Sequence, residues 1–201
     1  MEYCWSSVKR PIKAGLHWIR HFLKPWGRLR KRLPAYLINM LEEQHQRIAY
    51  LDAHIGVLDR QLLEIARQNE TCQRLLEIPG VGPLIATAAV ATMGEASAFK
   101  SSREFSAYIG LVPKQTGAGG KVKLLGISKR GDTYLRTLFI HGARAASLLV
   151  KEPGPWITEL KTRRPTAVAI VAMANKLGRT VWAIAAHHCR YDKNHVSVRP
   201  R

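Results

Sequence analysis

The sequence predicts a mainly α-helical chain: a long coiled-coil helix, then a helical domain that contains a helix-hairpin-helix and a glycine-rich loop. Three observations carry this reading. Apolar residues recur with a heptad period from Leu37 to Ile65, the turn Pro79-Gly80-Val81-Gly82 separates two helical patterns, and Ser101, Asp132 and Pro165 are placed to open further helices. The resulting layout is a basic extension over 1–33, the coiled-coil helix over 34–70, the helical domain over 71–188 with its helix-hairpin-helix at 71–94, and a basic tail over 189–201.

Residues 1–33 hold nine Lys or Arg against one Glu, with Trp5, Trp18 and Trp26 among them and RLRKR at 28–32. Cations interleaved with aromatics suit phosphate contact and base stacking; a solvated extension is the plainer reading. From Pro34 the pattern changes. Leu41, Ile48, Ile55 and Leu62 fall at heptad position a, Leu51, Leu58 and Ile65 at d, and Gln44 is the one polar d residue within the run. A strict 3.5-residue period favours pairing with another helix, and self-association through this seam is the expectation.

In TCQRLLEIPGVGPLIATAAVATMG (71–94), a short helix ends at Ile78 and Pro83 opens a second, small-residue helix. Gly80 and Gly82 leave no side chain over the backbone amides, so Gly80, Val81 and Gly82 are candidates to hold a phosphate oxygen; a tight turn between packed helices is the alternative. Next, SSRE at 101–104 is a capping box, and Gly110 ends the helix it opens. The stretch PKQTGAGGKVKLLGISKRGD (113–132) follows, glycine-rich and hairpin-like. Asp132 caps a helix running to about Val150, KEPGP breaks the pattern, and Pro165 starts a last helix carrying Val168, Val171, Ala172, Leu177, Val181 and Trp182.

With 201 residues and 46% hydrophobic composition the chain can bury a core, and its charge of +18 comes from 32 Lys and Arg against 14 Asp and Glu. The charge lies in blocks: +8 over 1–34, −3 over 35–77, zero over 78–113, +5 over 114–136 and +8 over 137–201. Blocks of one sign point to a polyanion, and DNA is the expected partner. No run of 18 apolar residues and no signal-type apolar core is present, so no membrane partner and a cytoplasmic, nucleoid-associated location are expected. Cys4, Cys72 and Cys189 are too widely spaced for a disulfide framework or a paired zinc motif.

Several chemistries fail on spacing. A Walker A loop needs glycine where Gln115 stands and Ser or Thr where Val122 stands. His141 and Arg144 resemble the HxxR pair of tyrosine recombinases, but Tyr191 lacks the surrounding motif. His187, His188 and Cys189, with His195, would form a poor chelate, since adjacent helical residues diverge. The carboxylates Glu42, Glu43, Asp52 and Asp59 lie along the heptad helix, and no metal site is expected in this chain.

The runs LLEIPGVGPLIATAAVATMG and FKSSREFSAYIGLVPKQTGAGGKVKLLGISKRGDTYLRTLFIHGARA, continued by RRPTAVAIVAMANKLGRTVWAI, strongly resemble the C-terminal domain of DEDD transposases of bacterial insertion sequences, the IS-one-ten and Piv-invertase-like group. The resemblance covers roughly residues 34–185. It implies a protein that cuts and rejoins DNA at the ends of a mobile element. In that group a RuvC-like domain supplies an Asp-Glu-Asp-Asp magnesium site, a coiled coil joins domains and protomers, the C-terminal domain supplies a serine nucleophile, and some members use a guide RNA. This chain begins at about the coiled coil, so magnesium is expected only in a complete family member and the chain is expected to be truncated and inactive alone. Ala118 stands where the group's Ser-Gly pattern places the nucleophile, leaving Thr116 and Ser128 as weaker hydroxyl candidates. Lys121, Lys123, Lys129, Arg130 and Arg136 are the expected phosphate contacts. A non-catalytic nucleic-acid-binding protein, or a repressor that dimerises with intact relatives, is the alternative. A peptide covering 34–72 should associate as a helical oligomer in analytical ultracentrifugation; an unfolded monomer would sink the pairing idea.

Overall fold

The structure is a computed structural model that describes residues 32–118, 121–149 and 155–192. The basic extension up to residue 31, with Cys4 and its tryptophans, lies outside the described residues, as do Gly119, Gly120, the KEPG stretch at 151–154 and the tail from 193, including His195.

Among the described residues there are seven α-helices and one strand pair: α1 (Ala35–Gln68), α2 (Glu70–Leu76), α3 (Pro83–Met93), a 3₁₀ turn (Ala96–Ala98), α4 (Ser102–Tyr108), β1 (Pro113–Ala118), β2 (Lys121–Ile127), α5 (Thr133–Leu149), α6 (Pro155–Arg163) and α7 (Thr166–His187). The mainly helical class is therefore observed. The chain divides into two compact units at Glu64/Ile65, within α1 and six residues before the expected boundary. Ala66, just past the division, is fully buried in the core of the second unit.

The first unit is the described part of α1 up to Glu64. Leu41, Leu51, Ile55 and Leu58 of the heptad stripe are exposed, while Ile48 and Leu62 are half-buried.

The second unit is built around α7. Its buried residues Ile170, Ala174, Leu177, Val181 and Ile184 follow alternating steps of four and three, one face of a helix. The fold thereby corrects the expected stripe: Val168 is 51% exposed, and Ala169, Ile170 and Ala174 take its place in the core. By length and composition α7 is apolar enough to cross a membrane, and in this fold its apolar face lies in the core. Phe105 of α4 and Phe139 of α5 are fully buried and meet edge to face, with Phe99 against Phe105 at 5.2 Å. Small residues set the helix spacing. A Cβ at Gly178 would lie 3.0 Å from Ile109 Cδ1, and Trp182 Nε1 donates to the Ala96 carbonyl at 3.1 Å. Burial pushes the Cys72 thiol above its ordinary range, which keeps it protonated and inert, whereas Cys189 is exposed.

Local signals in the sequence are realised with small differences. Ser101 Oγ accepts from the Glu104 amide at 3.3 Å, but the Glu104 carboxylate reaches back one residue further than a standard capping box, to the Lys100 amide. Asp132 Oδ1 caps α5 by accepting from the Leu135 amide at 2.8 Å. The sequence pattern gives no sign of α6, because prolines flank this stretch and mark it as a connection. The first residues of the expected tail turn back onto the core: His188 is left-handed, and the Tyr191 amide donates to Glu77 Oε2 at 3.3 Å.

Two left-handed glycines, Gly110 (φ 71°) and Gly131 (φ 77°), mark the closest backbone approach, that of the 128–131 loop to the end of α4. A Cβ at Gly131 would collide with the Tyr108 carbonyl oxygen. Gly131→Ala should thus lower unfolding free energy in urea by about 2 kcal/mol or more, whereas Gly56→Ala, mid-helix in α1 with open space around it, should be neutral or stabilising by about 0.5–1 kcal/mol. Equal effects would refute the close approach.

Candidate nucleic-acid interface

The glycine-rich stretch folds as an antiparallel β1–β2 ribbon with Ala118 opposite Lys121, Thr116 opposite Lys123 and Gln115 opposite Leu124. Strand pleating then puts positions 116, 118, 121 and 123 on one face of the ribbon. Thr116, Lys121 and Lys123 are all exposed. Between Pro113↔Ile127 and Gln115↔Leu124 the register shifts, so Leu125 and Gly126 together oppose Lys114, a bulge that bends the ribbon near its base.

The base is tied down residue by residue. The Ser128 amide donates to the Val112 carbonyl at 2.8 Å, and the Lys129 amide to the Gly110 carbonyl at 3.2 Å. Lys129 adopts a left-handed conformation, φ 55°, sparsely populated for a residue with a Cβ. Asn175 of α7 donates from Nδ2 to the Leu111 carbonyl at 2.9 Å. The central tie is Arg136. Its Nη1 donates to the Ile109 carbonyl at 3.3 Å and the Arg130 carbonyl at 3.1 Å, and its Nη2 to Thr133 Oγ1 at 2.9 Å. One planar guanidinium thus joins the end of α4, the 128–131 loop and the first turn of α5. Its charge lies beside the C-terminal carbonyls of α4, where the helix dipole favours a cation.

This arrangement corrects several expectations. Arg136 is 8% exposed, and its guanidinium donates to the Ile109 and Arg130 carbonyls and the Thr133 hydroxyl, so it lies inside the base of the ribbon and not on its exposed surface. Lys121, Lys123, Lys129 and Arg130 are exposed, as a phosphate surface requires. Gly80 and Val81 are buried: Gly80 (φ 89°) packs against the Gly142 carbonyl of α5, which accounts for its lack of a side chain. Gly82 is half-buried, just ahead of α3. The tight turn between packed helices is thus the geometry seen at 79–82. Ser128 Oγ is buried and without a hydrogen-bond partner among the described residues, so it is not an exposed hydroxyl in this fold. Thr116 remains an exposed hydroxyl on the ribbon. Lys121 opens a strand and not a helix, a second reason why Gly-Lys here is no Walker motif.

The other candidates stay apart from this surface or lack the means. His141 and Arg144 are exposed on α5, and the Tyr191 phenol has a raised pKa through burial and the neighbouring Asp192. His188 meets Arg74, His187 packs edge-on to Trp182, and no three His, Cys, Asp or Glu side chains converge among the described residues. Residues 113–131 contain lysines, one arginine and hydroxyls but no carboxylate, and Asp132 is occupied as a cap. That donor set does not fit a magnesium ion.

Residues 72–156 match the family described as Transposase IS116/IS110/IS902. The similarity in this stretch is to transposases. Over 163 residues the chain is 42% identical to a Pseudomonas aeruginosa protein named "Probable family 20 transposase", a match covering 79% of this chain and 48% of that protein. It is 39% identical over 165 residues to the transposase for insertion sequence element IS1328 of Yersinia enterocolitica (80% and 49% covered). With the transposase for IS1111A of Coxiella burnetii the identity is 45% over 144 residues (70% and 40% covered). The chain spans about half the length of the curated relatives it matches. The segment that matches this family contains the ribbon, its base and Arg136, while α7, which completes the core, lies beyond it.

Composition showed that this region is basic, but not which cations serve it internally. Asn175 and Thr133 carried no sequence signal. Gly110 and Gly131 did, as glycines flanking a short polar loop. Arg136→Met should cost about 3 kcal/mol in urea unfolding, because it strands carbonyls that now accept charged donors, and Arg136→Lys should restore only part. Amide exchange at Ser128 and Lys129 should quicken in both; wild-type stability in the Met variant would refute the clamp.

Proposed function

We propose that this chain is a DNA-holding portion of an insertion-sequence transposase, gripping strand phosphates with the basic ribbon and its base. The observation that carries the reading is the exposed set Lys121, Lys123, Lys129 and Arg130 on a carboxylate-free segment within the matched transposase region. Phosphate contacts of this type position DNA without reading its sequence.

In this reading the metal-binding carboxylates of an Asp-Glu-Asp-Asp, RuvC-like domain act from outside the residues described here. Ala118 leaves the ribbon without the serine that the resemblance places there, so the chain binds element ends and does not cleave them by itself. The exposed heptad stripe of α1 supports pairing of two copies as a coiled coil. It also supports a second reading, in which mixed pairs with an intact relative repress transposition. A guide RNA is a further partner of this basic surface, and a bacterial cytoplasm, near the nucleoid, the setting.

Anisotropy titrations of element-end DNA should show log affinity falling with log salt, and Lys121→Gln with Lys123→Gln should reduce that slope by about 2. Strand cleavage by the chain alone with magnesium, or a salt slope unmoved by the double substitution, would overturn the reading.

A further inference from the structure

The base of the ribbon carries more than cations. Tyr108, the last residue of α4, is 44% exposed, and Tyr134, in the first turn of α5, is 58% exposed. The fold brings their segments together, since the Gly131 backbone packs against the Tyr108 carbonyl and Tyr134 follows three residues later. Between them run the exposed Lys129 and Arg130, held by the Arg136 clamp. The one carboxylate of this loop, Asp132, is engaged as the cap of α5.

Neither tyrosine is consumed by the core. The Tyr108 ring meets Phe99 edge-on at 5.4 Å, and the Tyr134 side chain makes no hydrogen bond or ring contact among the described residues. Exposed rings and exposed cations on neighbouring segments offer what an intact duplex does not use. Duplex bases already stack on one another, whereas an unpaired base has a free π-face and gains by stacking on an aromatic side chain.

We propose that the ribbon base binds single-stranded DNA, with Tyr134 and Tyr108 stacking unpaired bases and Lys129 and Arg130 holding the adjoining phosphates. This rests on the reading of the ribbon as a DNA surface, and names the form of DNA it takes. A strand opened at the point of exchange presents such bases, and a site that prefers them would hold the open form against re-pairing.

The test uses the full chain, a short single-stranded DNA, the duplex of the same sequence and the RNA strand of that sequence, with 2-aminopurine in the strand as the stacking reporter. Tyr134→Ala and Tyr108→Ala should each weaken single-strand binding roughly five- to hundredfold and abolish the 2-aminopurine quenching, while duplex affinity and salt slope stay as in wild type. Tyr134→Phe and Tyr108→Phe keep the ring and should bind as wild type, with circular dichroism confirming the fold of every variant. Undiminished single-strand binding by the Ala variants overturns the proposal, as does a parallel loss for duplex, or an effect confined to RNA. If the lysine double substitution still lowers the salt slope in that case, the DNA-holding reading stands without it.

Discussion

The geometry of the candidate surface depends on one buried guanidinium. Arg136 gathers the last turn of α4, the 128–131 loop and the start of α5 through three hydrogen bonds, and no protein carboxylate is needed to hold it. Main-chain carbonyls at a helix C-terminus supply the negative potential. An ion pair would have filled the base of the ribbon with an acid. A carbonyl-bound arginine leaves the surrounding surface cationic, which is what a phosphate-facing site requires.

That clamp acts only because backbones approach closely around it. Gly110 and Gly131 allow the loop to lie against α4, and a Cβ at Gly110 would come within 2.8 Å of Arg136 Nη1. The same device recurs between Gly80 and Gly142, where the α2–α3 turn meets α5, and at Gly178, where α7 meets Ile109. These contacts make α4, α5 and α7 a firm platform, and the ribbon projects from it. The bulge and the left-handed Lys129 are tolerated because the loop is held from both sides by amide-to-carbonyl bonds.

The segment that is similar to insertion-sequence transposases contains this surface. The ribbon and its base offer charge, exposed rings and the exposed Thr116 hydroxyl, while the Ser128 hydroxyl is buried and Asp132 Oδ1 caps α5.

Much of this was legible in the residues themselves. Caps such as Ser101 and Asp132 act within one turn, so the sequence alone determined where α4 and α5 begin, and the heptad spacing determined one long helix, expected over 34–70 and found over Ala35–Gln68. The basic, acid-free character of 113–131 was equally plain. What only the tertiary structure decided was the use of each group. A cation in a basic run has the same sequence signature whether it faces solvent or a ring of carbonyls, so Arg136 passed for a phosphate contact. Gly80 passed for an open amide site although its purpose is to let two backbones touch. Val168 lay within an apolar helix, yet the face that α7 buries is set by the helices packed against it. Local hydrogen bonds and periodicity are encoded by neighbours in the chain; burial is decided by residues far along it, Gly142 for Gly80 and Ile109 for Arg136.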